Sequence, residues 1–234
     1  MPPGQPFCLL IPALTARRPR ERSCHARIHP HRLPRGRKTA VLRLLEISGY
    51  VVVEEAATDV IALENALGRE EPWRDPAFID KIVTLQRQRQ NSVLAAGSVV
   101  FFDRSPVCTL ALSRYLGLAT SSPLAREVER VLAEGGYETT VFFIRNQGFV
   151  RATAARRISF EESLVFEQLH EQAYRDLGFR LVEVPAGPLP DRVALVRQTV
   201  DQLALGQLAG DRLRVRSLSH KNSRASGTTS PPTP

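Results

Sequence analysis

The sequence predicts an α/β fold in which a mostly parallel sheet lies between two layers of helices. Short apolar runs alternate with amphipathic segments of helical period along the 234-residue chain, and this alternation is typical of right-handed β-α-β crossovers. The run at 98–102 is nearly continuous in apolar residues rather than alternating. Such a run is expected of a strand that is covered on both faces.

Glycine and proline mark the boundaries of most elements, because glycine ends helices readily and proline is accepted in a first helical turn. Gly49, Gly68 and Gly97 each follow an amphipathic segment, and Pro76 and Pro123 each stand near the start of one. The predicted elements are, in order, helix 38–48, strand 50–54, helix 58–67, helix 75–95, strand 98–102, helices 108–116 and 123–134, strand 139–144, helix 159–177, strand 180–184 and helix 191–205.

A predicted basic loop separates strand 139–144 from the helix that follows it. This loop, 145–157, carries four arginines, including Arg151, Arg156 and Arg157. Ser159 and Glu162 then form the spacing of a capping box, which predicts the start of helix 159–177.

The net charge of +8 is confined to the start of the chain. Residues 1–38 hold nine of the 32 basic residues and one of the 24 acidic ones, so that 23 of each sign remain from Thr39 onward. This basic leader, 1–37, is rich in proline and has almost no apolar periodicity, which predicts a disordered segment. The polar tail, 206–234, is predicted to be disordered for the same reason, and 38–205 is the predicted domain.

No stretch reaches the length of a membrane span. Three scattered cysteines indicate a reducing compartment rather than a disulfide framework. We therefore expect a cytoplasmic protein with no membrane partner.

The residues before the first helix resemble a damaged phosphate-binding loop. The pattern G-x-x-x-x-G-K-[ST] needs glycine directly before the lysine and again five residues earlier, because the backbone must wrap a phosphate with its N–H groups inward. Lys38 and Thr39 occupy the last two positions of this pattern, but Arg37 and Arg32 stand where the glycines belong, and only Gly36 lies nearby. The bulky Arg37 side chain and the missing donor of Pro30 predict poor ATP binding and a missing or malformed first strand.

A reading-frame slip would account for both the foreign leader and the missing glycines. If His25 is read as C-AT and the later codons are shifted by one base, the permitted triplets through Arg37 can spell M-R-V-F-I-L-T-G-S-P-G-A-G. Lys38 and Thr39 follow directly, and one missing base before the lysine codon restores the original frame. The alternative is a natural basic extension with a degenerate loop.

Charged and hydroxyl side chains follow the predicted strands. Glu55 comes directly after strand 50–54, and Asp103 and Arg104 come directly after strand 98–102. Ligands of parallel sheets bind at the carboxyl ends of the strands. We expect these residues to meet Lys38 and Thr39 at that edge.

The segments GRKTAVLRLLE, VVVEEAA and VVFFDRSP, with the arginine-rich loop before SFEES, resemble the NadR-like AAA-type P-loop ATPase family. They are also similar to nucleoside and thymidylate kinases, and the resemblance covers about 38–205. FFDRSP is the most specific of these segments. The resemblance implies a three-layer P-loop NTPase fold that binds ATP or GTP with Mg²⁺.

The resemblance also implies roles for individual residues. Lys38 would contact the β- and γ-phosphates, and Thr39 would hold Mg²⁺ through its hydroxyl. Glu55 would accept a proton from an acceptor hydroxyl, Asp103 would support magnesium or the acceptor, and Arg104 would counter developing phosphate charge. The lid and nucleotide contacts would come from Gly36, Arg151, Arg156 and Arg157.

Three functions are consistent with the sequence. The first is a P-loop ATPase or small-molecule kinase that transfers a γ-phosphoryl group to a nucleoside-like acceptor. The second is a nucleotide-dependent switch or binding module with little turnover. The third is nucleic-acid binding through the basic leader, although we expect no specific nucleic-acid partner.

Each candidate residue also has a structural interpretation. Glu54 and Glu55 could be a solvated helix start favoured by the helix dipole. Asp103 and Arg104 could form an internal ion pair, and the arginines of 145–157 could belong to an ordinary solvated loop. His170 has no partner at a metal-binding spacing and is interpreted as structural.

Overall fold

The computed structural model describes residues 7–10, 37–93, 99–135, 137–145 and 160–206, with backbone alone at 7–10, 37, 38 and 160. The chain divides into two compact units, Met1–Leu195 and Val196–Pro234. The first unit contains a five-stranded sheet and its helices. A last helix spans residues 189–206.

The helices and strands alternate much as the sequence predicts. The strands are β1 (Phe7–Leu10), β2 (Val51–Val53), β3 (Val100–Asp103), β4 (Thr140–Ile144) and β5 (Arg180–Val184). The helices are α1 (Arg37–Ile47), α2 (Ala56–Ala66), α3 (Ala77–Val93), α4 (Pro106–Tyr115), α5 (Ser122–Glu134), α6 (Phe160–Asp176) and α7 (189–206). A short 3-10 turn, Pro72–Arg74, precedes α3.

Serine caps begin the two helices that follow β3. The hydroxyl of Ser105 accepts from the main-chain N–H of Val107, and the hydroxyl of Ser121 accepts from that of Leu124. A proline follows each cap within the first turn, where its missing N–H costs nothing. These caps place the start of α4 at Pro106, two residues earlier than predicted.

The sheet has the strand order β2-β3-β1-β4-β5. β2 pairs with β3 and β4 pairs with β5 in parallel, whereas β1 is antiparallel to both of its neighbours. Since β1 is antiparallel to both β3 and β4, those two strands run in the same direction. The carboxyl ends of β2, β3, β4 and β5 therefore lie along one edge of the sheet, which we call the carboxyl rim.

β1 differs from our expectation that the leader supplies no well-formed central strand. Phe7–Leu10 occupies the central position, with Leu9 opposite both Asp103 and Phe142. The strand nevertheless runs in reverse, so that its carboxyl end lies at the rim opposite to the one where the other strands end. The backbone groups of β3 and β4 need partners, and a short apolar segment of either direction can supply them.

Both faces of the central strands are covered. Val100 and Phe102 of β3 and Phe143 of β4 pack with Ala111 of α4 and Tyr174 of α6 in one core cluster. Phe101 and Phe142 are also fully buried, and they alternate with these residues along the strands. This explains why the sequence runs of these strands are continuously apolar.

α1 runs antiparallel to β2 because only residues 48–50 connect the two elements. The guanidinium of Arg43 bonds to the carboxylate of Glu54, which is the first residue after β2. Lys38 lies five residues before Arg43, about 7.5 Å further along the helix axis. The start of α1 is therefore on the side of the carboxyl rim.

Within the part of the chain that the structure describes, no helix combines the length and the hydropathy needed to cross a membrane.

Candidate functional site

The carboxyl rim brings together most of the residues that the sequence analysis selected. Glu55 follows β2, Asp103 ends β3, and Arg104 comes directly after it. Val53 is in register with Phe102, so that Glu55 and Arg104 extend from corresponding places on neighbouring strands. Lys38 and Thr39 stand in the first turn of α1 on this side of the sheet.

Glu55 and Arg104 form an ion pair. Arg104 Nε donates to Glu55 Oε1 at 3.2 Å, with side chains 3% and 19% exposed. The other carboxylate oxygen, Oε2, accepts from the hydroxyl of Thr58 at 3.0 Å. Glu55 is thus a fixed acceptor rather than a solvated helix start, and its neighbour Glu54 takes the exposed position beside Arg43.

Arg104 has an unusual backbone. Its φ of 92° is the one positive value among the described residues other than glycine. Such a conformation costs on the order of 1–3 kcal/mol and persists only where the surroundings enforce it. Here the strand ends, the chain turns into the Ser105 cap of α4, and the Arg104 side chain is directed into the protein, where it is buried.

His170 makes a second contact with the same guanidinium. Its Nε2 lies 3.1 Å from Arg104 Nη1, and its Nδ1 lies 2.9 Å from the carbonyl oxygen of Phe166. The imidazole is fully buried. The sequence interpretation of His170 as structural missed this contact, because a separation of 66 positions leaves no local signal.

A second cluster of buried polar side chains supports the end of β3. The hydroxyls of Ser105 and Tyr174 are 2.7 Å apart, and Cys108 Sγ lies 3.0 Å from the same tyrosine oxygen. Thr109 donates to Gln86 Oε1 at 2.9 Å, which ties α4 to α3. These bonds fix the Asp103 to Ser105 segment to three helices.

A small pocket opens beside the ion pair. Its polar lining includes Glu55, Arg104, Gln86 and Thr109. The remaining lining is apolar and comes from Ala57, Ile82, Cys108 and Leu112. The cavity itself is about 10 Å³, which is room for about one water molecule, so it does not accommodate a nucleoside as it stands.

Arg145, at the end of β4, is surrounded by carboxylates. Its guanidinium lies 2.7 Å from Glu171, 3.1 Å from Glu167 and 2.5 Å from Glu183. Hydrogen bonds from Arg145 hold the pKa of Glu171 below its ordinary range, against the opposing effect of burial. These three carboxylates therefore keep this arginine bound at the rim.

Several predicted site residues cannot be placed. Gly36, Arg151, Arg156 and Arg157 lie outside the described residues, and of Lys38 the backbone alone is described. Thr39 is half-buried, and Asp103 is 8% exposed at the end of β3. Among the described side chains there is no group of three or more histidine, cysteine, aspartate or glutamate residues suited to a metal ion.

The fit to a bound nucleotide is incomplete. The start of α1, with Lys38 and Thr39, suits an anionic phosphate because helix N-termini carry free N–H groups and a positive dipole end. A phosphate loop, however, requires a strand that ends at the carboxyl rim and passes through glycines into this helix. β1 runs the other way, and Arg37 is the first residue of α1. Among the residues that the structure describes, one wall of a nucleotide site is therefore absent.

Comparison with known proteins gives one match. Residues 36–192 match a family model described as an AAA domain, and this range covers more than half of the chain. No curated protein matches the chain. No solved structure matches it either. With its α/β sheet, its Lys-Thr helix start and this match, the chain belongs to the AAA domain family of P-loop nucleotide-binding proteins.

Proposed function

We propose that the protein is a P-loop ATPase or small-molecule kinase that transfers the γ-phosphoryl group of ATP or GTP to a nucleoside-like acceptor. The observation that carries this proposal is the fixed Glu55–Arg104 pair in a pocket at the rim where α1 begins. An acid-base group and a cation side by side are what a transfer of phosphate to a hydroxyl requires. Magnesium is part of the proposal, with Thr39 and Asp103 as its protein contacts.

The residues of the pocket suggest a division of roles. Glu55 accepts the proton of the acceptor hydroxyl, since both of its oxygens are oriented by neighbouring donors. Arg104 supplies positive charge, and its planar guanidinium suits the geometry of phosphate oxygens. Arg151, Arg156 and Arg157 remain the predicted source of further contacts with the transferred group.

The natural gene product, in this proposal, has the shifted-frame peptide in place of the leader. The family match begins at residue 36, next to the position where the original frame would be restored. The sheet has a central position between β3 and β4, and V-F-I-L could fill it as a parallel strand. The following G-S-P-G-A-G would then lead directly into Lys38 at the carboxyl rim.

The coding DNA provides the first test. We expect codons at Arg32, Arg35, Gly36 and Arg37 that encode the loop glycines and alanine in the shifted frame. Codons that cannot give glycine there would exclude the frame slip and leave a natural extension with a degenerate loop.

Nucleotide binding provides the second test. The repaired chain, in which M-R-V-F-I-L-T-G-S-P-G-A-G replaces residues 1–37, should bind ATP in calorimetry, whereas the present chain should bind it poorly. Lys38→Met in the repaired chain is the matched control and should abolish the gain, because the lysine charge is lost. Equal ATP affinity in the repaired and present chains would contradict the steric argument about Arg37.

Phosphoryl transfer is then measured as ADP release by the repaired chain with a panel of nucleosides. Release that an acceptor stimulates supports a kinase. Binding of ATP without consumption in the presence of any nucleoside would instead indicate a nucleotide-dependent switch. Salt-dependent DNA binding that disappears on deletion of residues 1–37 would indicate the third function.

A further inference from the structure

We propose that His170 is a positioning residue that holds the guanidinium of Arg104 at the carboxyl rim as an uncharged imidazole protonated on Nδ1. This inference deepens the proposed function, in which Arg104 meets the phosphoryl group. The contact between the two side chains can be tested without measuring enzymatic turnover.

The partners of the two ring nitrogens determine the tautomer. Nδ1 lies 2.9 Å from the carbonyl oxygen of Phe166, and a carbonyl can only accept a hydrogen bond, so Nδ1 carries the proton. Nε2 lies 3.1 Å from Arg104 Nη1, and a guanidinium can only donate, so Nε2 presents its lone pair. A second proton on the ring would remove the acceptor and place two cations in contact.

The guanidinium is held from two separate elements. Glu55, after β2, binds Nε at 3.2 Å, and His170, on α6, binds Nη1. Two contacts on one planar group fix its plane as well as its position. A single contact would leave the guanidinium free to rotate about that bond.

A neutral acceptor suits a cation that must still bind an anion. A second carboxylate at the place of His170 would give the arginine an excess of negative neighbours and weaken its attraction for phosphate. An imidazole lone pair orients the guanidinium and leaves its charge unchanged. Glu55 is therefore a charged anchor of the guanidinium, and His170 is an uncharged one.

The surroundings of His170 keep the ring in place. Its ring centroid lies 4.4 Å from that of Phe166 at 81°, and Phe166 in turn contacts Tyr115 of α4 at 4.6 Å. The neighbouring carboxylates of α6, Glu167 and Glu171, bond to Arg145.

The tautomer is tested by long-range ¹H–¹⁵N spectra of the full 234-residue chain. The chain has five histidines, and His170→Gln assigns the ring by loss of its signals. We expect a protonated Nδ1 and an unprotonated Nε2 whose resonance shifts in Arg104→Met. A proton on Nε2 at neutral pH, or an Nε2 resonance that Arg104→Met leaves unchanged, would overturn the proposal.

The positioning role is tested by kinetics of the repaired chain. His170→Leu should lower kcat by about tenfold to a hundredfold, as expected of a displaced catalytic group, with little change in the KM for ATP. His170→Gln keeps an acceptor for Arg104 and should restore most of the rate. Val128→Ala is the matched control, because it removes buried apolar volume from the core cluster that contains Phe166 but lies on α5, and it should lower Tm without lowering kcat.

Wild-type kcat in His170→Leu, or an equal loss of kcat in Val128→Ala, would overturn the positioning role. A repaired chain that transfers no phosphoryl group to any acceptor would contradict the proposed function instead. In that case the spectra alone decide whether His170 positions Arg104.

Discussion

Arg104 Nε donates to Glu55 Oε1 at 3.2 Å and so joins the ends of two parallel strands that are neighbours in the sheet. The contact spans 49 residues of sequence. It places a carboxylate and a guanidinium on the side of the sheet where α1 begins, and it is therefore the first target for mutation.

Replacement of Glu55 by glutamine should lower phosphoryl transfer by the repaired chain by about a hundredfold or more, because a general base is lost. The amide oxygen still accepts from Arg104, so the fold should persist. The measurement is kcat with saturating acceptor. Glu54→Gln is the control and should leave kcat unchanged, since Glu54 bonds to Arg43 on the protein surface. Similar losses in both variants would argue against a special role for Glu55.

The backbone conformation of Arg104 predicts that glycine at this position gives a more stable protein than alanine, which is the reverse of the usual order. Both Arg104→Gly and Arg104→Ala remove the ion pair, but the φ of 92° strains alanine and suits glycine. Arg104→Gly should therefore be the more stable variant by about 1 kcal/mol in urea unfolding. A more stable alanine variant, as found at ordinary positions, would show that Arg104 has a normal backbone conformation.

The serine cap of α4 should contribute more to the free energy of unfolding than the serine cap of α5. Ser105→Ala removes a helix cap and also a 2.7 Å partner of the buried Tyr174 hydroxyl. Ser121→Ala removes the cap of the neighbouring helix and a hydrogen bond to Asp80 Oδ1, in a less buried setting. We expect Ser105→Ala to cost about 2 kcal/mol or more of unfolding free energy. Ser121→Ala should cost about 1 kcal/mol.

A double-mutant cycle separates the two contributions at Ser105. Tyr174→Phe combined with Ser105→Ala should cost less than the sum of the two single variants, because the hydroxyls are partners. Strict additivity would mean that the contact between them contributes nothing to stability.

Low pH should weaken the ion pair between Arg145, at the end of β4, and Glu171. The pKa of Glu171 is lowered from its ordinary value of 4.5 in the folded protein, mainly by the hydrogen bond from Arg145. A depressed pKa stabilises the fold above the unfolded value and loses this effect as pH falls through the folded value. Arg145→Met should therefore lower Tm at neutral pH, and its difference from the wild type should shrink below about pH 4.5. A constant difference across this range would exclude the electrostatic origin.

The elements of this protein follow from local sequence. The strand predicted at 180–184 is observed with the same bounds, and the predicted helix 123–134 differs by one residue at its start. The spacing of apolar residues, the Ser-Pro caps and the helix-ending glycines are local signals. They determine where helices and strands begin and end without long-range contacts. The position of Glu55, Asp103 and Arg104 at one rim also follows, because parallel strands end at the same edge.

Tertiary structure alone decided how these residues are held. The contact of His170 with Arg104 and that of Tyr174 with Ser105 join residues more than 60 positions apart, and no pattern of period 2 or 3.6 reports such pairs. The direction of β1 was decided in the same way. Its slot between β3 and β4 offers main-chain partners to a strand of either direction, so the sequence could place an apolar segment there without determining which way it runs.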